Sequence, residues 1–253
     1  MADTINQLTL ELANYLLKQN EGLNTVSVSG YLAYFTLLLV NFGLQGQAKY
    51  DLSAFLDCNY SFIEISEFFN FLEYECIHSF TIDEFLKIGG VKSAIFHSSL
   101  SVDNFKQIAK YVYNFELEYI DSINKEYQAN TINQWTQLLH HVPFHYIVPE
   151  SFYREVKLLI INEYLISFKW MAPTSRRYTH SETFTDYYSR KITVKMMRMI
   201  DHFRCYTDVD IKADIVFVNL ETNGTYAVVV YPYATSNVSD VLKNMNVIDI
   251  CKI

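Results

Sequence analysis

The hydrophobic and polar positions of this chain change their period part-way along it. Ile5, Leu8, Leu12, Tyr15 and Leu16 recur at roughly helical spacing, which predicts an amphipathic first helix ended by Gly22 and Asn24. A second, almost wholly apolar stretch predicts a buried helix from about Gly30 to Phe42, with Gly43 and Gly46 in the turn after it. Shorter helices are expected over Asp51–Cys58 and Ser66–His78. Gly89–Phe96 then reads as a strand, Val102–Tyr113 as a helix, Phe115–Ile120 as a half-buried strand, and Thr131–His140 as a helix stopped by Pro143. Beyond that point short apolar runs dominate, among them Leu158–Ile161 and Tyr226–Pro232. Helices feeding strands in this order argue α+β and not alternating βαβ units.

Composition supports a core large enough for such a fold. Half of the 253 residues are hydrophobic and 19% are charged, and no linker, repeat or low-complexity tract divides them, so a single domain over 1–253 is expected. The net charge of −8 is dispersed and Lys/Arg never run beyond isolated pairs, which argues against nucleic-acid binding. Leu32–Val40 is too short to span a bilayer, and the N-terminus, with Asp3 and Glu11 in its first turns, reads as no signal peptide. The expectations are therefore no membrane partner and a host-cytoplasmic setting, with secretion left open. Cys58, Cys76, Cys205 and Cys251 have no paired spacing and read as reduced core thiols. The sequons at Asn59, Asn223 and Asn237 matter only in a secretory setting.

Candidate chemistry is sparse. His140, His141 and His145 form the one histidine cluster, but Pro143 breaks the helix that would align them and no third ligand is near, so no metal is expected. Cys205 has His202 and Arg204 close in sequence but no general base with an orienting partner. Gly89-Gly90-Val91-Lys92-Ser93 superficially resembles a phosphate loop, yet Val91 stands where a glycine must precede the lysine, and a strand follows. These readings give no catalytic residue and no cofactor, and an enzyme is not expected.

Several short motifs occur in an order of their own. Gly43-Leu44-Gln45-Gly46 with Leu52-Ser53, Ile132-Asn133-Gln134-Trp135 with Pro149, Asn162 and Trp170, and Val194-Lys195-Met196-Met197 with Phe203-Arg204 follow one another along nearly the whole chain. Together with Ser29 before the apolar helix, this succession resembles the serpin family. The resemblance implies an α+β serpin-like fold and makes Ser29, Gly43, Gly46, Asn133, Trp135, Asn162, Trp170, Met196, Met197 and Phe203 scaffold residues. On the residues alone, Trp135 and Trp170 read as core, and Met196-Met197 as deformable core filling.

Departures from the family carry the functional expectation. Its Ser-Pro-x-Ser-x-Ser is Ser29-Gly30-Tyr31-Leu32-Ala33-Tyr34 here, and the glycine of its Phe-Lys-Gly-x-Trp is Phe168. Asp240–Asp249 resembles either the helix shortly before the family's reactive loop or the short helix after the preceding strand, and on both readings the chain lacks the C-terminal reactive loop and last strands. Abundant Tyr, Phe, Asn and Ile point to an A/T-rich genome, as in many poxviruses, whose reduced virulence serpins the chain resembles. The expectation is a host-modulating binding protein without a reactive bond, with protease inhibition by a non-standard mode as the alternative. Its partner would be a host protein, or a second copy, met through exposed sheet edges.

Overall fold

The computed structural model describes residues 2–20, 25–58, 81–99, 102–136, 156–172, 174, 176–185 and 190–245. The helix expected over Ser66–His78, the histidine cluster and the last part of Asp240–Asp249 lie outside them. By packing, the chain divides into two compact units: Met1–Ile5 with Tyr31–Ser167, and Asn6–Gly30 with Phe168–Ile253.

The helices follow the apolar pattern closely at the start. Helix α1 (Ala2–Gln19) has Asp3 in its first turn and Lys18 in its last, each complementing the helix dipole. Leu8 is buried whereas Tyr15, expected on the same apolar face, is 60% exposed. Helix α2 (Gly30–Gly43) buries Leu32, Tyr34, Phe35, Leu38 and Leu39, as an all-round apolar helix must. Gly46 caps α3 (Gln47–Phe55) at φ 63°, in the left-handed region that glycine enters without strain. That helix starts four residues before the expected Asp51. A short α4 (Asp83–Leu86), not anticipated, leads into the first strand.

The first unit is built on one three-stranded sheet in the order β2-β1-β3. Strand β1 (Gly89–His97) pairs in parallel with β2 (Glu116–Tyr119), helix α5 (Asp103–Tyr111) forming the crossover between them. On its other side β1 runs antiparallel to β3 (Leu158–Ile166) in an unbroken register from Gly89 opposite Ile166 to His97 opposite Leu158. Helix α6 (Lys125–Thr136) starts six residues before the expected Thr131 and packs across the sheet. Ile132 and Trp135 of α6 meet Ala94 and Phe96 of β1, with the Phe96 and Trp135 rings edge to face at 5.6 Å. Gln128 is fully buried and donates to the Val156 carbonyl at 3.0 Å, holding the chain that enters β3.

Among the described residues the second unit contains two separate sheets. Strands β4 (His180–Thr185) and β5 (Lys191–Met196) form an antiparallel ribbon. Strands β6 (Arg204–Asp208), β7 (Ala213–Asn219) and β8 (Tyr226–Pro232) form the order β6-β7-β8, antiparallel throughout. One face of this sheet is the core: Ala213, Ile215 and Phe217 of β7 pack with Ile211 and with Val241 of helix α7 (Val238–Asn244), which Asn237 caps by accepting from the Ser239 N–H.

The β1–β3 ladder leaves no room at its first pair. A Cβ built on Gly89 would lie 2.0 Å from the Leu165 carbonyl oxygen, a backbone atom that cannot swing aside, whereas one on Gly90 meets nothing within 4 Å. Gly89→Ala is expected to lower the unfolding free energy by about 1–3 kcal/mol, the usual cost of overpacking. Gly90→Ala should stay within about 0.5 kcal/mol of the parent in the same urea titration.

Candidate functional site

Period-two alternation gives the paired strands β1 and β3 two polar faces of different character. On one face Ser93 lies opposite Asn162, and its hydroxyl donates to the Asn162 side-chain oxygen at 2.7 Å. The Asn162 amide donates in turn to the Thr36 hydroxyl of α2 at 2.8 Å, and Thr36 donates to the Leu32 carbonyl at 2.8 Å. This relay fastens both strands to α2. Elsewhere on α2, Tyr34 is fully buried, and its hydroxyl donates to the Leu56 carbonyl at 2.7 Å. Leu32, Phe35 and Tyr34 of this helix are all buried, and the polar atom of Tyr34 is already committed.

The opposite face carries charge. Lys92 lies across from Glu163 in the register, and its ammonium sits 3.5 Å from Glu116 and 4.5 Å above the Trp135 ring. The Trp135 indole N–H also donates to Glu116. Glu163 is only 6% exposed, and neither of its carboxylate oxygens has a hydrogen-bond partner. Burial therefore pushes its carboxyl above the usual carboxylate range, and the Lys92 charge only partly offsets that. Nothing in the sequence reading picked out Lys92, Glu116 or Glu163 as a cluster. The available signal was a single charge interrupting each of two apolar strands at matching positions.

In the second unit Trp170 forms an antiparallel bridge with Leu220, flanked by bonds from the Met171 N–H to the Asn219 carbonyl and from the Glu221 N–H to the Lys169 carbonyl. A cavity of about 530 Å³ lies here, lined by Phe168, Lys169, Trp170, Met171, Thr174 and Glu221. The Lys169–Glu221 ion pair across it spans 3.5 Å between exposed groups.

The expected scaffold residues separate accordingly. Asn133 and Trp135 are buried on α6, Asn162 holds the relay, Gly43 closes α2 with its α-carbon against the Phe105 ring, and Gly46 caps α3. Ser29 lies half-buried just before α2, and Phe203 half-buried just before β6. Three expectations are corrected. Trp170 is 39% exposed and lines the cavity, so it is not core. Met196 and Met197 are 37% and 62% exposed; among the described residues the β4–β5 ribbon has two strands, and five of the six positions of β5 are exposed. The apolar composition of Tyr226–Pro232 reads as core, but among the described residues it is an outer strand with Val228 and Val229 about half exposed.

The expectation of reduced core thiols is corrected at both described cysteines. Cys58 is disulfide-bonded and buried, its partner lying outside the described residues, while Cys205 is free and exposed. Distance along the chain did not disclose the pairing, since a disulfide needs proximity in space only.

Comparison with known proteins now bears on this fold. The family model described as Serpin (serine protease inhibitor) matches residues 3–252. The chain belongs to the serpin family. One span thus embraces both compact units, and the α+β serpin fold is that of the solved structures. Serpin-12, a serine protease inhibitor of Manduca sexta, superposes with a TM-score of 0.71 at 18% identity, over 97% of this chain and 68% of its own. Reactive-loop-cleaved human thyroxine binding globulin superposes with a TM-score of 0.76 at 15% identity, over 100% of this chain and 74% of its own. At such identities the likeness is one of fold. No curated protein sequence matches the chain.

Two outcomes follow from this chemistry. A carboxyl whose folded value lies above its unfolded one contributes stability that is present below the unfolded value and lost as pH rises through the folded value. Thermal unfolding of the parent should therefore show that loss, and Glu163→Gln should flatten it while keeping the fold, as read by calorimetry across pH 4 to 8. Intact mass after alkylation of the unfolded, unreduced chain should show Cys205 modified and Cys58 protected, with Cys58 becoming reactive only after reduction.

Proposed function

We propose that this serpin-family chain is a host-modulating binding protein of viral origin, and that it does not trap proteases by admitting a new strand to its main sheet. The observation that carries this reading is the packing of α2, which the Asn162–Thr36 bond fastens to β3. Where serpins resembling it carry small hydroxyl residues, Leu32 is 3% exposed and Tyr34 is fully buried with its hydroxyl committed to the Leu56 carbonyl. A sheet that opens must break and remake bonds in this layer. Displacing the phenol strands a buried donor and acceptor, at about 1–3 kcal/mol for each group left unsatisfied. The Ser93–Asn162–Thr36 relay, which ties both strands to α2, adds to that resistance.

A non-catalytic role agrees with a family whose members inhibit proteases or bind other molecules. Viral origin is supported by the abundance of residues with A/T-rich codons, 20 Tyr and 18 Phe among them. The proposed partner is a host protein or a second copy, with neither nucleic acid nor a membrane involved, and the Cys58 disulfide, which a reducing cytoplasm would not sustain, favours the secreted setting over the host cytoplasm. Among the described residues no helix is long and apolar enough to cross a membrane. The alternative, inhibition of a serine protease by a non-standard mode, draws on the family match alone.

Incubation with trypsin-, elastase- and caspase-like enzymes followed by denaturing gels checks the reading. The expected result is proteolysis or no reaction, with no stable band containing both proteins. A denaturant-resistant complex would overturn it. Loss of protease activity without such a band would select the non-standard inhibitor.

A further inference from the structure

Strand β8 is, among the described residues, the outer strand of its sheet, and it differs from every other described strand in one respect. The others each carry at least one charged side chain, such as Lys92 in β1, Glu163 in β3, Lys195 in β5 and Asp214 in β7. Tyr226-Ala227-Val228-Val229-Val230-Tyr231-Pro232 carries none. Natural edges are blunted by charge, by a bulge or by brevity. This one has seven residues in uninterrupted register with β7, and Tyr226, Val228, Val229 and Tyr231 are 43–70% exposed. For a chain of net charge −8, such a neutral edge is where a like-charged copy can approach without repulsion.

The hydrogen-bond phase of β8 is legible from its two ends. The Leu220 N–H donates to the Thr225 carbonyl, and the Tyr233 N–H donates to the Lys212 carbonyl. Odd-numbered residues of β8 therefore bond inward to β7, and the N–H and C=O groups of Tyr226, Val228 and Val230 point to the open edge, with the carbonyl of Pro232. Proline, which has no N–H, falls on an outward position, where its missing donor leaves β7 unaffected.

We propose that β8 pairs antiparallel with β8 of a second copy about a twofold axis at Val229, joining two three-stranded sheets into one of six strands. In that register Val228 faces Val230 of the other copy and the two exchange both backbone bonds, on each side of the axis. Tyr226 faces Pro232 and donates to its carbonyl, so the proline costs one bond at each end and not the pairing. Small Ala227 lies opposite large Tyr231. The two Val229 side chains meet at the close, non-hydrogen-bonded pair, continuous with Val216 and Val218 on the same face of β7. A second copy suits this edge better than an unlike partner because the segment is its own complement in size and charge. A seam this narrow predicts a weak dimer, in the micromolar range. The proposal rests on the second-copy partner named in the reading above, but its test is separate, because the protease assay reads neither β8 nor oligomeric state.

The test uses the full chain. Sedimentation equilibrium should show a monomer–dimer equilibrium, and hydrogen exchange should show protection at Val228 and Val230 that rises with protein concentration, while Val229, already bonded to β7, does not change. Val229→Lys sets two like charges at the axis and should weaken association at least tenfold, as should Val229→Glu. An equimolar mixture of the two variants should restore dimer as a heterodimer, which a merely misfolded variant cannot do. A chain that is monomeric at all concentrations overturns the proposal: protected Val228 and Val230 amides would then place another segment of the same chain on the edge, and unprotected ones would leave it bare. A dimer indifferent to Val229→Lys, or variants that do not rescue each other, would place the interface elsewhere and overturn it equally.

Discussion

The antiparallel ladder between β1 and β3 is the constraint on which the first unit depends. It fixes which residues face α2 and which face α6, and a shift of one position would exchange the two sets. In the observed register Ser93 and Asn162 turn toward Thr36, whereas Ala94, Phe96, Leu159 and Ile161 turn toward Ile132 and Trp135. Gly89 makes the register stricter, since only a residue without a Cβ fits against the Leu165 carbonyl at its first pair. The polar relay and the apolar core are two consequences of one alignment.

That alignment also places charge where the sheet can least solvate it. Lys92 is drawn to Glu116 and to the Trp135 ring, so the carboxylate of Glu163 directly across the ladder remains without a hydrogen bond. Buried ion pairs repay their desolvation only when the remaining lone pairs are satisfied. Here one lysine serves two carboxylates, and the buried one takes up its proton more readily. The face beneath α6 is therefore poised electrostatically, while the face toward α2 is locked by neutral hydrogen bonds.

Much of the fold was legible from residues alone, and the misses share a cause. The period change from helix to strand located α2, β1 and β8 almost to the residue, because long apolar runs and glycine punctuation are local signals. The starts of α3 and α6 were misplaced toward the C-terminus because their first turns are polar, with Gln47 and Lys125 opening helices whose apolar content comes later. Exposure was misjudged at Trp170, Met196 and Met197 because burial depends on whether another layer arrives, which side-chain type does not record. Of the site, Asn162 was named from its motif, but its partners Ser93 and Thr36 lie far off in sequence and were not. The Cys58 disulfide escaped for the same reason.

The Asn162–Thr36 bond joins residues 126 positions apart. As the chain leaves the ribosome, α2 emerges early and finds partners for Tyr34 and Asn41 within the next turns of chain, but Thr36 must wait for β3 before Asn162 can reach it. Closing so long a loop is slow compared with forming a helix. Throughout that interval a nearly all-apolar helix stands exposed on the nascent chain, open to capture by a chaperone. The bond that secures the finished sheet thus also sets how late in synthesis the first half of the protein can become native.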